Sequence, residues 1–174
     1  LGLLIPIVII FMRENMNTRV RGRKDLENLT IPFIGEIPLF TRKKKGILGK
    51  KPQEVKAVIV KEGNRDIINE AFRVLRTNLE FMTGKDKTSN VIIMTSFNPG
   101  SGKSFLTMNI AVSLAIKGKK VLVIDGDLRH ASASSYIDSP DKGLSDYLGG
   151  RIDNLDEIIV PDPKHKSMDI LPVG

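Results

Sequence analysis

The sequence predicts an α/β fold built on a parallel β-sheet, and three observations support this expectation. Two short apolar runs, VIIMTS at 91–96 and KVLVID at 120–125, are typical of strands buried on both faces. A helical pattern occupies residues 103–117 between them, with Gly118 suited to end it in a left-handed conformation. Strands joined through a helix run parallel, so we expect a parallel sheet with helices on both faces.

Further elements follow from hydrophobic spacing. Residues 64–82 predict an amphipathic helix, whose apolar stripe comprises Ile68, Ala71, Phe72, Leu75 and Leu79. Glu70, Arg73 and Arg76 lie three apart on what we expect to be a different face of that helix. Short helices are predicted at 143–150 and 154–159, a third strand at 168–173, and a short strand near VKAVIV at 55–60.

Composition and charge exclude several functional classes. The sequence has no cysteine, which excludes a disulfide scaffold, a cysteine zinc site and a thiol nucleophile, and its two histidines make a multi-histidine metal cage unlikely to form. Residues 1–61 hold 13 Lys and Arg against 5 Asp and Glu, whereas residues 62–174 hold 14 against 15. Because the basic excess lies outside the predicted folded part, we expect no nucleic-acid partner.

The first 12 residues, LGLLIPIVIIFM, are uncharged and apolar. A membrane-spanning helix needs about 20 such residues, so this stretch is interpreted as the end of a transmembrane helix. The alternative is a buried helix or strand of a soluble protein. The basic residues that follow, beginning with Arg13, indicate the cytoplasmic side of an inner membrane.

The expected organisation is therefore the end of a transmembrane helix at 1–12, a cytoplasmic juxtamembrane segment and linker at 13–62, and a nucleotide-binding domain at 63–174. Residues 13–30 are predicted to continue as a helix. The linker carries the basic run at 42–45. Two interpretations of that run stay open: contact with an anionic membrane surface, or a solvated linker.

The segment FNPGSGKS at 97–104 indicates a phosphate-binding loop, because it stands between a predicted strand and a predicted helix. Glycines let backbone N–H groups converge on phosphate, and the helix N-terminus adds a favourable dipole. Lys103 is expected to reach the β- and γ-phosphates, and the Ser104 hydroxyl to ligate Mg²⁺. The candidate nucleotide-binding residues are Asn98, Pro99, Gly100, Ser101, Gly102, Lys103, Ser104 and Phe105. The fold expected is thus of the P-loop NTPase type.

Asp125 and Asp127 follow the second predicted strand, where ligands bind in open α/β sheets. Because they are two residues apart, an extended backbone would point both to the same side. Two carboxylates facing a triphosphate imply a cation, so Asp125, Asp127 and Ser104 are the predicted Mg²⁺ ligands. Either aspartate could also accept the proton of an attacking tyrosine. The catalytic candidates are Lys103, Asp125 and Asp127, and the alternative for the pair is a capped turn.

Several motifs in one order resemble the bacterial tyrosine kinases (BY-kinases), the cytoplasmic kinase modules of polysaccharide co-polymerases. The matching segments are EAFRVLRTNL, PGSGKS, VIDGDLR and GLSDYL. The resemblance implies ATP bound at Gly100–Ser104 and Mg²⁺ served by Asp125 and Asp127. It also implies a ring of subunits, octameric in the family, joined through Glu70, Arg73 and Arg76. The implied activity is tyrosine autophosphorylation that regulates exopolysaccharide or capsule synthesis together with the polysaccharide export machinery.

The sequence departs from these patterns at identifiable positions. Phe97 replaces the glycine that usually opens the loop, and Asn98 stands where MinD/ParA-type ATPases carry a signature lysine. The later strand ending in Asp and the tyrosine-rich tail of the family are not found, and IIVPD at 158–162 is a poor substitute for that strand. We therefore expect a fragment that binds ATP weakly and phosphorylates poorly.

Two other functions compete with tyrosine phosphorylation. One is a MinD/ParA-like ATPase that switches a dimer at the membrane without phosphotransfer. The other is a non-catalytic assembly protein, in which nucleotide gates the oligomers of a polysaccharide chain-length regulator.

Overall fold

The computed structural model describes residues 4–16, 22, 26, 30–39, 58–84, 90–138 and 140–174, and the chain divides into two compact units, Leu1–Glu36 and Ile37–Gly174. In the first unit, helix α1 covers Leu4–Asn15 and exposes its apolar side chains. Helical structure is thus described up to Asn15, and most of the predicted continuation to residue 30 lies outside the described residues.

Within the ranges that the structure describes, no helix is both long and apolar enough to cross a membrane.

The second unit contains the helices predicted after residue 63 and two of the four predicted strands. Its helices are α2 (Ile67–Thr83), α3 (Lys103–Ile116) and α4 (Leu144–Leu148), and its strands are β1 (Val121–Ile124), β2 (Val160–Pro161) and β3 (Met168–Leu171). Short 3-10 helices cover Ser134–Ile137 and Leu155–Glu157. The predictions of helices at 64–82, 103–117, 143–150 and 154–159 and of strands at 120–125 and 168–173 are confirmed.

The three strands form one sheet in the order β1-β3-β2. β1 and β3 are parallel, with Val121 opposite Met168 and Ile124 opposite Leu171. β2 pairs antiparallel with β3 and lies at the edge, where Pro161 is tolerated because its missing N–H can face away from the ladder. A parallel pair is thus present, but it joins β1 to β3 and not to the run at 91–96 as predicted, and the segment 158–162 contributes an antiparallel edge that makes the sheet mixed.

Helix α3 is the central packing element of this unit, since it contacts α2 on one side and β1 and β3 on the other. Its inner residues Met108 and Val112 are fully buried, as is Ile170 of β3. α2 lays Phe72 against it, and the ring of Phe72 meets that of Phe105 edge-on at 6.0 Å between centroids. The layer of helices thus fixes α3 over the parallel strands.

The N-terminus of α2 is capped by Asp66. Its Oδ1 accepts hydrogen bonds from the backbone N–H and the side-chain amide of Asn69, at 2.7 and 2.8 Å. The backbone hydrogen bond from Asn69 is the largest cause of a pKa for Asp66 below its usual value. The cap therefore fixes where this amphipathic helix begins.

The prediction of a buried strand at 91–96 is wrong for this structure. These residues have no regular secondary structure, and Val91 and Ile93 are 91% and 82% exposed. A strand needs a neighbour for its backbone N–H and C=O groups, and β1 is hydrogen-bonded to β3 instead. The apolar run at 91–96 is therefore not a strand of the sheet.

The predicted strand at 55–60 is not found in its described part. Residues 58–60 are not in a strand, and residues 55–57 lie outside the described residues. The backbone N–H groups of Ile59 and Val60 instead donate to one side-chain oxygen, Oδ1 of Asn109, at 2.8 and 3.1 Å. Asn109 is fully buried on α3 and donates its amide N–H to the Phe105 carbonyl at 2.8 Å. A side chain thus replaces a neighbouring strand as the partner of this backbone.

We predict that Asn109→Ala lowers the free energy of unfolding by about 2–4 kcal/mol, because it leaves two backbone donors without an acceptor. Urea denaturation followed by circular dichroism measures the change. The control is Asn90→Ala at an exposed position, which should stay within about 0.5 kcal/mol of the parent chain. Equal stability of the two variants would contradict the structural role of Asn109.

Candidate functional site

A glycine-rich loop at residues 97–104 leads directly into α3. Gly100 and Gly102 have φ angles of +73° and +87°, a region that side chains with a Cβ rarely adopt. A Cβ at Gly102 would meet nothing within 4 Å, so the backbone angle alone favours glycine there. Gly102 caps α3 without a side-chain acceptor, and N–H groups at such a helix start can bind an anion.

Side chains around the loop hold it in shape. The hydroxyls of Ser96 and Ser101 both donate to the Asn98 carbonyl, at 2.9 and 2.6 Å. Lys103 Nζ donates to Ser96 Oγ at 3.3 Å, which brings the ammonium group back over the loop. The cation is therefore held on the same loop whose glycines shape the helix start.

The remaining predicted nucleotide-binding residues differ in exposure. Pro99 is exposed and Ser104 is half-buried at the first turn of α3. The Phe105 ring packs on Phe72, so this ring belongs to the helix–helix interface, and only its backbone faces the helix start. Phe97, at the position where a glycine is usual, is fully exposed.

Asp125 follows β1 and is 4% exposed. Its Oδ2 accepts from the backbone N–H and the hydroxyl of Ser134, at 2.7 and 2.8 Å, and its Oδ1 accepts from the Asp127 N–H at 3.2 Å. The Ser134 hydroxyl in turn accepts from the Val173 N–H at 2.9 Å. The carboxylate is thus held by neutral donors that also tie it to the segment after β3.

Asp127 lies in a different environment, with a side chain that is 38% exposed. Partial desolvation raises its pKa, but hydrogen bonds from the His130 ring and from the backbone N–H groups of His130 and Arg129 bring the net pKa below its usual value. Asp127 is therefore ionised at neutral pH. The expectation that both carboxylates share one orientation is wrong, because Asp125 is turned into the protein by Ser134.

The donor set suits Mg²⁺ bound together with a nucleotide. Across the ranges that the structure covers, no group of three or more His, Cys, Asp or Glu side chains could hold a metal alone. Mg²⁺ commonly takes one or two carboxylates and completes its octahedron with water and substrate phosphates. Asp125, Asp127 and the hydroxyl of Ser104 are ligands of that kind.

Glu70, Arg73 and Arg76 of α2 do not share one environment. Glu70 and Arg73 form an exposed ion pair at 2.9 Å. Arg76 is only 7% exposed, and its Nη1 donates to the backbone carbonyl and hydroxyl of Ser113 at 3.0 and 3.1 Å. The expectation that Arg76 lies away from the buried stripe is wrong, because its side chain reaches the last turn of α3.

Ser134 is a residue at the site that the sequence did not identify. It stands in the run ASASS at 131–135, where no spacing distinguishes it from its neighbours. Its contact with Asp125 joins positions nine residues apart, and its contact with Val173 spans 39. Only the packing of the loop after β1 against the segment after β3 brings these groups together.

Comparison with known proteins agrees with this geometry. The family described as the CobQ/CobB/MinD/ParA nucleotide binding domain matches residues 92–159. The chain is 33% identical over 161 residues to the tyrosine-protein kinase wzc of Salmonella typhimurium, covering 87% of this chain. It is 31% identical over 170 residues to the tyrosine-protein kinase etk of Escherichia coli K12, covering 91% of this chain. It spans 22% and 23% of the lengths of these relatives.

A solved structure, the kinase domain of Escherichia coli tyrosine kinase ETK, is also similar. The TM-score is 0.69 at 28% identity, over 88% of this chain and 59% of that domain. The likeness extends beyond the glycine-rich loop to most of the chain.

We predict that Ser134→Ala lowers the free energy of unfolding by about 1–3 kcal/mol, because it removes a donor to Asp125 and leaves the buried Val173 N–H unpaired. Chemical denaturation checks the value. Ser132→Ala, two residues away, is the matched control and should change it by less than about 0.5 kcal/mol. A Ser134→Ala chain as stable as the control would show that the hydrogen bond from the Ser134 hydroxyl to Asp125 is absent in solution.

Proposed function

Because this chain belongs to the bacterial tyrosine kinases (BY-kinases), we propose that it forms part of a membrane-anchored protein-tyrosine autokinase. The proposed reaction transfers the γ-phosphoryl group of ATP to tyrosines of neighbouring subunits. The observation that carries the proposal is the start of α3, where a glycine cap without a side-chain acceptor, the Lys103 ammonium and the loop backbone face one place.

The loop residues have separate proposed roles. Backbone N–H groups of Gly100, Ser101 and Gly102 bind the β-phosphate region, and the positive end of α3 favours its charge. Lys103 would leave Ser96 Oγ, a weak partner at 3.3 Å, for the β- and γ-phosphate oxygens. Asn98, Pro99 and the backbone of Phe105 border the same space.

The aspartates divide the remaining work. Mg²⁺, when bound, would neutralise charge on the β- and γ-phosphates. Asp125 is held rigid by Ser134, which fits it to fix a ligand position with the Ser104 hydroxyl. Asp127, ionised and partly exposed, can ligate through water, and either carboxylate can accept the tyrosine proton.

The acceptor is proposed to be a tyrosine that a neighbouring subunit presents. Burial raises the pKa of Tyr136 above its usual value, so its hydroxyl loses its proton less readily than that of an exposed tyrosine. Tyr147 on α4 is 37% exposed and sits within a helix. These two residues fit structural roles better than the role of acceptor.

The surroundings that we propose are an inner membrane and a ring of subunits. Helix α1 is apolar with Arg13 in its last turn, which suits the cytoplasmic end of a membrane anchor, and the basic segment after it suits an anionic lipid surface. The exposed pair Glu70–Arg73 suits contact with a neighbouring subunit, as in an octameric ring. The kinase would then act on the cytoplasmic side, with the polysaccharide export machinery.

One alternative function has an observation in its favour. The matching family also contains MinD and ParA, so a nucleotide-driven switch without phosphotransfer is consistent with the fold. Asn98 stands where such ATPases carry a signature lysine, which favours the kinase. Phosphate release without phosphotyrosine formation would identify the switch.

We predict that Lys103→Met abolishes phosphotyrosine formation in the full-length protein incubated with ATP and Mg²⁺, because the β- and γ-phosphates lose their cation. Anti-phosphotyrosine blotting measures it, and Lys119→Met, exposed beyond the end of α3, is the matched control that should retain the signal. Unchanged phosphotyrosine in Lys103→Met would refute the mechanism.

A second prediction concerns assembly. Glu70→Gln should lower the mass of the full-length assembly, because a neighbouring subunit loses an exposed charged partner, whereas Glu62→Gln outside α2 should leave it unchanged. Sedimentation velocity in matched detergent gives the masses. Identical sedimentation of both variants and the parent would remove Glu70 from the interface.

A further inference from the structure

A cavity of about 310 Å³ lies at the C-terminal end of α3, away from the nucleotide loop. α3 has 14 residues, and at about 1.5 Å per residue the two ends are about 20 Å apart. The cavity is lined by the charged residues Lys61, Glu62, Arg73, Arg76 and Lys117 and by Ser113. Its chemistry is therefore separate from that of the loop at 97–104.

The charge in this cavity is unbalanced. Four cationic side chains face a single acid, Glu62. Arg73 also pairs with Glu70 outside the cavity lining, which offsets one further charge. A net excess of two positive charges is left around a half-open space of ligand size.

Arg76 makes this excess costly. Its side chain is nine-tenths buried and donates to the neutral groups of Ser113, and within the described part of the chain its buried Nε has no hydrogen-bond partner. Removing a cation from water costs several kcal/mol unless an opposite charge compensates. The C-terminus of α3 supplies only about half of one negative charge.

We propose that this cavity binds a small oxyanion of the phosphate class. An oxyanion beside the guanidinium group supplies the opposite charge that Arg76 lacks among the described residues, and arginine commonly binds such groups. Arg73 and Lys117 add charge from the cavity mouth, where both are exposed. A phosphate matches the excess of two charges better than a single carboxylate does.

The test uses inorganic phosphate as the probe, with ATP absent. Lys103→Ala in the same chain removes the cation of the nucleotide loop and weakens binding there, whereas only the cavity site should also respond to substitution of Arg73 or Lys117. Equilibrium dialysis with labelled phosphate at low salt should give one site per Lys103→Ala chain. Adding Arg73→Gln or Lys117→Gln should weaken that binding about tenfold, the effect of losing one charge-assisted hydrogen bond.

The matched control is Lys119→Gln, an exposed lysine two residues beyond Lys117 that does not line the cavity. It should leave phosphate affinity within about twofold. Both tested cations are exposed, so their variants keep the buried Arg76 and the fold. No phosphate bound to the Lys103→Ala chain, or equal weakening by Lys119→Gln, would overturn the proposal.

Sedimentation of the same variants separates a free anion from a carboxylate of a second copy. If Lys103→Ala binds no phosphate while Arg73→Gln lowers the assembly mass, the cavity receives a protein carboxylate and the free-oxyanion proposal fails. Because these measurements use a chain without the loop lysine and without ATP, their outcome is independent of phosphotransfer.

Discussion

The position of helix α3 is the constraint on which the rest of this structure depends. Its first turn is the proposed phosphate-binding end, its buried Asn109 holds the backbone at 59–60, and its last turn accepts the hydrogen bonds of Arg76. It also packs on β1 and β3, which place the two aspartates beyond the strand ends. A tilt of this one helix would disturb the nucleotide site, the entering chain and the basic cavity together.

The two aspartates after β1 lie in different electrostatic environments, which suits them to different proposed roles. Asp125 is held by neutral donors inside the protein, which fixes its geometry without an ion pair. Asp127 is partly exposed, and its hydrogen bonds keep it ionised. A carboxylate held in place beside a partly exposed, charged neighbour suits the proposed binding of a nucleotide together with a metal.

Local sequence signals predicted the parts of the fold that local physics determines. Hydrophobic spacing identified α2 and α3, and the glycine-rich loop before Lys103 identified the helix start. The candidate site could be located from the same local signals, because a glycine-rich loop between an apolar run and a helix is a recognisable motif. The runs at 120–125 and 168–173 were recognised as strands, whereas their register on each other is known only from the structure.

The remaining features depend on partners far away in the chain. Arg76 is buried because Ser113, 37 residues later, accepts its hydrogen bonds, and Asn109 meets backbone 49 and 50 residues earlier. The apolar run at 91–96 has the composition of a strand, but composition does not supply the neighbour that a strand requires. The hydrophobic periodicity of a single segment does not reveal these long-range contacts.

The proposed activity depends on triphosphate oxygens accepting hydrogen bonds from the backbone at the start of α3. A crystal structure with a non-hydrolysable ATP analogue and Mg²⁺ measures this directly. We expect phosphate oxygens about 2.7–3.2 Å from backbone nitrogens of residues 100–104, with Lys103 turned from Ser96 toward them. A nucleotide bound at another surface, or phosphates beyond hydrogen-bond reach of these amides, would contradict it.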